Sequence, residues 1–217
     1  AIVEVVGVGR SGPVVEDSRS IPEMVLACVR AGLADAALGY ADIDAVVTAS
    51  VDLVDGLTAS NVAVTEVVGA VMKPEPRIAC DGLAAVLHAA CQIWAGAYET
   101  VLVVAHGKAS MSPRGVATLW AMDPIFVQPL GFDFLSSAGL AACAAHRGEA
   151  TDRAWARTVA TRRASAGVER LPGADTEAEV LASPIVASPL REGMCAPEGD
   201  GAVCVLLRLC EVASAAR

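Results

Sequence analysis

The sequence lacks any apolar run long enough to cross a membrane. Its hydrophobic residues make up 54% of the chain, but most are Ala and Val in short runs broken by Gly, Pro and charges. None of these runs approaches the ~20 residues that a spanning helix requires. The first ten residues, AIVEVVGVGR, also lack the basic region and the long apolar stretch of a secretory signal peptide. We therefore expect no membrane span and a cytoplasmic location.

Motifs that bind metals, dinucleotides or nucleic acid are lacking as well. The seven cysteines are scattered without C-x-x-C pairs, which favours neither a zinc site nor a disulfide framework and predicts mostly buried, reduced thiols. The first predicted strand ends in Gly7-Val8-Gly9, but no third glycine completes a dinucleotide-binding loop. A net charge of −9 argues against nucleic acid and anionic membranes. The expectation is no metal site and no nucleic-acid partner.

What the chain does have is a large amount of apolar material for its length. Its 217 residues are enough for one sizeable α/β domain. Only 19% of the residues are charged, and the mean hydropathy of +0.52 is high for a chain with no membrane span. We interpret the excess as a large subunit interface.

Strand and helix patterns alternate along the chain and predict a layered α/β domain. Strands are predicted over residues 2–8, 45–49, 77–80, 100–105, 184–186 and 202–207. Helices are predicted from the capping box Ser20–Glu23, over residues 60–71, 83–94, 135–146 and 152–166, and from a second capping box, Thr176–Glu179. The helix over 83–94 is apolar on every side, so we expect it to be fully buried. Residues 107–134, which are rich in Pro and Gly, predict a long loop excursion within the same domain.

Several segments, taken together in chain order, resemble the thiolase superfamily, and in particular its sterol-carrier-protein-like, non-specific lipid-transfer-like branch. The segments are the first strand and Ser20 helix, GLAA at 82–85 followed by Gly96, AHGKASMS at 105–112, LASPIVASPL at 181–190 and GDGAVCVL at 199–206. The third is similar to the thiolase segment AGGMESMS. The resemblance implies a layered half of the thiolase fold, in which a central mixed sheet carries a buried helix.

The same resemblance implies what the chain works with. Residues 1–217 correspond to the N-terminal domain of the family, including the 107–134 excursion. The family's second half carries a Gly-His-Pro histidine that is not in this sequence, so we expect a partner chain with that half, or a longer form of this chain. Acyl-CoA is the implied substrate and coenzyme A the implied co-substrate. A small protein combining a zinc ribbon with an oligonucleotide-binding-like barrel is a further implied partner.

Cys80 is the candidate nucleophile. It lies between a short strand and the start of a buried helix, where free backbone N–H groups and the helix dipole favour a thiolate. A thiolate there takes an acyl group from a CoA thioester; the alternative is a small buried core residue. Most thiolases read Cys-x-Ser-Gly, whereas Cys80-Asp81-Gly82 is one residue shorter, and alignment on Gly82 puts Ala79 in the cysteine position. Asp81 either opposes ionisation of the thiol or caps the helix.

Three other positions are candidates for the site. His106 follows a core strand where thiolases have glycine, and it is either a local acid/base or a hydrogen-bonded structural histidine. By the resemblance, Met111 and Phe132 belong to the loop region that shapes the acyl-CoA tunnel, with ordinary packing as the alternative. Asp200, just before a predicted strand, is assigned to a turn.

Three functions fit this pattern. The first is a thiolase-type acyltransferase subunit that acts through an acyl-cysteine. The second is a subunit that cleaves a side-chain acyl-CoA by an aldol mechanism without the cysteine. The third is a non-catalytic half that scaffolds an active subunit or carries lipid.

Overall fold

The computed structural model describes residues 2–55, 61–112, 115–166 and 171–210. They form two compact units, which are described separately. The sheet unit consists of Ala1–Gly12, Glu16–Met111 and Asp200–Arg217, and the helical unit consists of Pro13–Val15 and Ser112–Gly199. Whether the chain is one thiolase-like domain with an excursion at 107–134 stays a prediction.

The predicted alternation of strands and helices is confirmed over most of the chain. The strands are β1 (Ile2–Val14), β2 (Ala45–Ala49), β3 (Arg77–Ile78), β4 (Thr100–Lys108), β5 (Ile185–Ala187), β6 (Leu190–Arg191) and β7 (Asp200–Cys210). The helices are α1 (Ile21–Asp35), α2 (Asp52–Asp55), α3 (Gly82–Trp94), α4 (Val116–Trp120), α5 (Phe134–Ala145), α6 (Glu149–Ser165) and α7 (Glu177–Ala182).

Five strands form one mixed sheet in the order β1-β7-β4-β2-β3. Strand β2 is parallel to β3 and to β4, and its register with β4 runs from Ala45 opposite Val101 to Ala49 opposite Ala105. Strand β7 runs antiparallel to β4 and places Asp200 opposite Lys108. The expected α/β class with a central mixed sheet is therefore confirmed.

The two faces of this sheet carry two separate hydrophobic cores, because successive side chains of a strand point to opposite faces. On one face, Leu102 and Val104 of β4 pack in a cluster with the buried side of α1. On the other face, Val101 and Val103 pack in a second cluster with α3. The capping box predicted at Ser20 and Glu23 is present and begins α1.

Strand β1 is longer than the predicted 2–8, and its glycines explain why. Gly7 and Gly9 were expected to end the strand, but they lie inside it, against α1. A Cβ atom on Gly9 would stand 2.2 Å from the Cys28 carbonyl oxygen, so only glycine allows the helix to approach this closely.

Helix α3 is not buried on all sides, which corrects the prediction for residues 83–94. Only Ala85, Ala89, Ala90 and Ile93 are buried. On the opposite side Leu83 is 77% exposed, Leu87 61% and Trp94 58%. In this chain, the apolar sequence of α3 therefore corresponds to one side that packs on the sheet and a second apolar side that is exposed.

The prediction of a helix over residues 60–71 is wrong for residues 61–71. Ser60 lies outside the described residues. Residues 61–69 form consecutive turns, with separate bonds such as the Thr65 amide to the Asn61 carbonyl and the Val68 amide to the Val64 carbonyl. The run is rich in β-branched side chains, which lower helix propensity. The predicted strand over 77–80 is also shorter, since β3 ends at Ile78.

The helical unit contains the helices predicted at 135–146 and 152–166, with boundaries shifted by at most a few residues. Helix α7 begins with the predicted capping box, since Thr176 and Glu179 exchange both bonds. Strands β5 and β6 pair antiparallel. The 107–134 segment includes the end of β4 and the short helix α4, besides irregular turns.

Candidate functional site

Cys80 lies in the bend between β3 and α3 and is exposed to solvent. The bend is placed by a close contact, because a Cβ on Gly82 would stand 2.8 Å from the Cβ of Ala105 on β4. Glycine thus lets the first turn of α3 rest directly on the sheet. Ala79, the alternative for the nucleophile position, is exposed in the same bend. The choice between the two residues stays open.

Asp81 caps α3, one of the two roles that the sequence left open for it. Its Oδ1 accepts a hydrogen bond from the Ala84 amide at 2.9 Å, satisfying one of the free N–H groups of the first turn. Its other oxygen, Oδ2, accepts from the Cys80 thiol across 3.8 Å. The cap and the thiol therefore share one carboxylate.

The other cysteines are less suited to nucleophilic chemistry, and most are not buried as predicted. Only Cys28 and Cys204 are fully buried. The neighbouring Cys204 thiol, together with burial, raises the pKa of Cys28, so this thiol stays protonated. Cys143 is exposed but donates to the Ser188 carbonyl at 3.3 Å. Cys91 is exposed on α3, away from a helix N-terminus.

His106 does not lie beside Cys80. It is buried on β4, at 7% exposure, and it shares the strand alternation of Leu102 and Val104, whose face of the sheet packs on α1. Cys80 precedes α3, which packs on the opposite face. The His106 side chain thus belongs to the face of the sheet that packs on α1, whereas Cys80 lies in the bend that leads into α3. The roles of both residues stay predictions.

The two predicted substrate-binding residues belong to different units. Met111 ends a short 3-10 turn after β4 and is 47% exposed. It lines a cavity of about 660 Å³ in the sheet unit. Phe132, in the helical unit, is half-buried. Their roles in binding substrate stay predictions.

Beside this cavity lies a network of polar side chains, which we call the polar network. Its members are Ser11, Asp17, Arg19, Lys108, Ser110 and Asp200. At its centre is the Asp200 carboxylate, which is 1% exposed and accepts from the Asp17 amide at 2.8 Å, the Ser110 amide at 3.0 Å and the Ser110 hydroxyl at 2.6 Å. The Lys108 Nζ stands 3.2 Å from the same carboxylate. Asp200 therefore joins three chain segments and is more than the turn residue that the sequence suggested.

The remaining bonds extend the network towards α1. Lys108 Nζ also donates to the carbonyl of Asp17, and to that of Arg19 at 3.0 Å. The Arg19 guanidinium donates to the Asp17 carboxylate at 3.0 and 2.6 Å and to the Ser11 hydroxyl at 2.8 Å. The Lys108 ammonium thus contacts two backbone carbonyls and one carboxylate of the network.

These contacts hold both carboxylates in the charged form. Hydrogen bonds from Arg19 lower the pKa of Asp17 from its ordinary 3.8 to about 2. Burial alone would raise the pKa of Asp200, but the bonds from the Asp17 amide and from Ser110 outweigh it and lower that pKa.

The sequence reasoning missed this network. One signal was available: Lys108 follows the run Val101–Ala105 with the same alternation as the buried Leu102 and Val104. A lysine at a buried position of a strand requires a counter-charge. Its partners could not be identified from sequence, because Asp17 and Asp200 lie far away along the chain.

Among the residues 2–55, 61–112, 115–166 and 171–210, no three His, Cys, Asp or Glu side chains group closely enough to hold a metal ion. Within the same ranges, no helix combines the length and apolarity needed to span a bilayer.

Comparison with known proteins gives likeness in structure but not in sequence. No protein-family model matches the chain, and no curated protein matches it. Among solved structures, a chain of the Ltp2-ChsH2(DUF35) aldolase matches with a TM-score of 0.71 and 19% identity, over 95% of this chain and 55% of that one. Human mitochondrial 3-ketoacyl-CoA thiolase in complex with CoA also matches with a TM-score of 0.71, at 14% identity, over 95% of this chain and 64% of that one.

A third match is a monomeric SCP2-thiolase-like protein of type 1 from Mycobacterium smegmatis, with a TM-score of 0.57 and 18% identity, over 95% of this chain and 45% of that one. The chain thus spans between 45% and 64% of the length of these three proteins. Identities this low carry information about the fold alone, and the fold is that of the thiolases.

Proposed function

We propose that this thiolase-fold chain is a subunit of an enzyme that forms or cleaves a C–C bond next to the thioester of an acyl-CoA, with Cys80 carrying the acyl group. The observation that carries the proposal is the position of Cys80, exposed in the bend before α3. In the reaction, the Cys80 sulfur attacks a thioester or 3-ketoacyl carbonyl and forms a new thioester bond. When the thioester of an acyl-CoA is attacked, its C–S bond breaks and coenzyme A thiolate leaves. When the 3-keto carbonyl is attacked, the C2–C3 bond breaks, the shortened acyl group stays on Cys80, and the CoA-bearing fragment leaves as an enolate that takes up a proton from the general acid. Coenzyme A is consumed as a co-substrate when the C–C bond is cleaved and is released when the bond is formed.

We further propose that the general base comes from a partner chain carrying a second thiolase half. His106 lies on the other face of the sheet from α3, so it is poorly placed to exchange protons with Cys80. The side of α3 that faces away from the sheet exposes Leu83, Leu87 and Trp94. An apolar helix side directly beyond Cys80 favours a partner that covers the helix and completes the site.

The acyl-enzyme is tested by alkylation with iodoacetamide at neutral pH, with and without acetyl-CoA, followed by peptide mass analysis. We expect Cys80 to be alkylated and to be protected by acetyl-CoA, whereas Cys91, which is also exposed, is alkylated equally in both conditions. Cys91→Ser is the matched control, because it removes an exposed thiol from the same helix region. A Cys80 that stays unmodified in the intact complex with its partner, or that acetyl-CoA does not protect, contradicts the proposal.

Asp81→Asn sharpens the test. Asn caps a helix about as well as Asp, so α3 keeps its cap while the negative charge beside the thiol disappears. The attacking species is the thiolate, and we expect Cys80 to be alkylated faster in this variant because no second anion stands beside it. Equal rates in the two proteins would mean that Asp81 does not restrain the nucleophile.

The second candidate is an aldol cleavage that does not use Cys80. It is favoured by the hydrogen bond between the Cys80 thiol and Asp81, which occupies the thiol, and by the aldolase among the similar structures. That structure also joins two proteins by name. This fits a chain that works with a partner, such as the small zinc-ribbon protein that the resemblance to the thiolase superfamily implies. Cleavage of an acyl-CoA that survives Cys80→Ser, with no acyl-protein detected by intact mass, would favour this candidate. A complex with no turnover at all would leave a scaffold or lipid carrier.

A further inference from the structure

The polar network lies at every point where the chain passes between the two units. The chain leaves the sheet unit after Gly12 and after Met111, and it returns at Glu16 and at Asp200. Members of the network stand at or next to each of these points: Ser11 precedes Gly12, Asp17 follows Glu16, Ser110 precedes Met111, and Asp200 is itself the first residue of the last segment. All six members belong to the sheet unit.

We call these four points the ends of the sheet-unit segments, or simply the ends. The bonds of the network connect them to one another. Asp200 accepts from the Asp17 amide and from Ser110, so it joins three of the four ends directly. Arg19 connects the fourth by donating to both Ser11 and the Asp17 carboxylate. Lys108, at the end of β4, adds bonds to the Asp17 and Arg19 carbonyls and to the Asp200 carboxylate.

We propose that Lys108 and Asp200 form an electrostatic clasp, a buried ion pair that fixes the four ends at which the chain leaves and re-enters the sheet unit. A buried ion pair commonly adds little net stability compared with an apolar pair of similar size, and one of its attested uses is to select a single arrangement. The loss of one partner, in contrast, leaves a buried charge without compensation. The clasp therefore acts on the local order of the ends, including the turn that carries Met111, more than on the core.

The proposal does not depend on the acyl transfer proposed above, since its test requires no substrate. Native-state hydrogen exchange reports on the amides of Asp17 and Ser110, which both donate to Asp200. In the unmodified protein we expect these two amides, far apart in the sequence, to exchange through the same opening with equal protection, because one carboxylate holds both. Clearly different protection factors would overturn the proposal.

Two variants make the test sharper. Asp200→Asn removes the carboxylate charge that pairs with the Lys108 ammonium, and Lys108→Met removes the ammonium from that carboxylate. In each we expect exchange at Asp17 and Ser110 to rise roughly tenfold or more, the usual effect of losing a hydrogen bond to a charged group, while amides inside β4 such as Val103 stay unchanged. Ser18→Ala, at an exposed serine in the same segment, is the control and should change neither reporter amide.

The double variant Lys108→Met/Asp200→Asn distinguishes a clasp from two independent contacts. Because it removes both charges, no buried charge stays unpaired, and we expect its two reporter amides to exchange more slowly than the product of the single effects predicts. Additive effects would overturn the proposal. So would an equal rise at Asp17, Ser110 and Val103, which would mean that the pair supports the whole unit. If a single variant does not fold, the comparison of the two amides in the unmodified protein still decides the question.

Discussion

Helices α1 and α3 pack on opposite faces of the same sheet, and they differ in how completely they are covered. Helix α1 buries an apolar side that includes Met24, Val25 and Val29. Helix α3 buries mainly small alanines against the sheet and leaves its large apolar residues, such as Leu87 and Trp94, exposed. A helix that is apolar on both sides belongs between two layers. The outer side of α3 is therefore suited to a further layer, whereas no large apolar side chain of α1 is exposed.

The largest expected effect contrasts the two helices directly. Met24 is 0% exposed, so Met24→Ala leaves a cavity and should lower the free energy of unfolding by about 3 kcal/mol. Leu87→Ala, on the exposed side of α3, should change it by no more than about 0.5 kcal/mol in the isolated chain. Urea unfolding of both variants measures these values. If Leu87→Ala is as destabilising as Met24→Ala, the outer side of α3 is covered even without a partner, and the contrast disappears.

Acid should weaken the segment that leads into α1. The pKa of Asp17 is about 2 in the folded chain and 3.8 ordinarily. A lowered carboxyl pKa stabilises the fold above the ordinary value, and this stabilisation is lost as the pH falls from about 4 towards 2. Because the Arg19 side chain is 43% exposed, solvent screening limits the contribution to about 1 kcal/mol.

Unfolding of Asp17→Asn across this pH range measures that contribution. The variant should be less stable than the unmodified protein by about 1 kcal/mol at pH 6 and nearly equal to it at pH 2. Arg19→Ala is the matched control and should reproduce most of the loss at pH 6. A difference between Asp17→Asn and the unmodified protein that does not depend on pH would rule out this origin of acid sensitivity.

The smallest expected effects concern the helix caps, where the two helices should behave alike. Ser20→Ala removes the α1 cap and Asp81→Ala the α3 cap, and each should lower the free energy of unfolding by about 1 kcal/mol. Asp81→Asn should leave it within a few tenths of that of the unmodified protein, because Asn is a cap of about equal strength. Urea unfolding checks all three. A much larger effect of Asp81→Ala would assign Asp81 a structural role beyond the cap.

Local signals in the sequence were sufficient for most elements. The capping boxes at Ser20 and Thr176 and the apolar run of β4 depend on neighbours within a few residues, and all three are present in the structure. Prediction failed where the decisive contact is distant. The local pattern predicts a strand end at Gly9. The glycine is in fact required by the close approach of the Cys28 carbonyl, and a contact with a residue of another element cannot be predicted from the neighbours of Gly9.

The features of the candidate site likewise fall into those that local sequence predicts and those that only the packing decides. Residue order alone placed Cys80 and Asp81 before a helix, because a strand followed by a helix start depends on local signals. Only the structure shows that the face of β4 to which His106 belongs is covered by α1 and not by α3, since the helix that covers a face depends on how distant segments pack.

The sequence by itself determined the α/β class, the presence of the helices α1 and α3, and an apolar character of α3 that suggested complete burial. The tertiary structure decided which side of α3 is covered and which is exposed. It also brought Asp17, Lys108 and Asp200 together. The physical reason is that hydrophobic periodicity and helix capping are set by residues near one another in sequence. Burial and charge pairing, in contrast, depend on which distant segments meet.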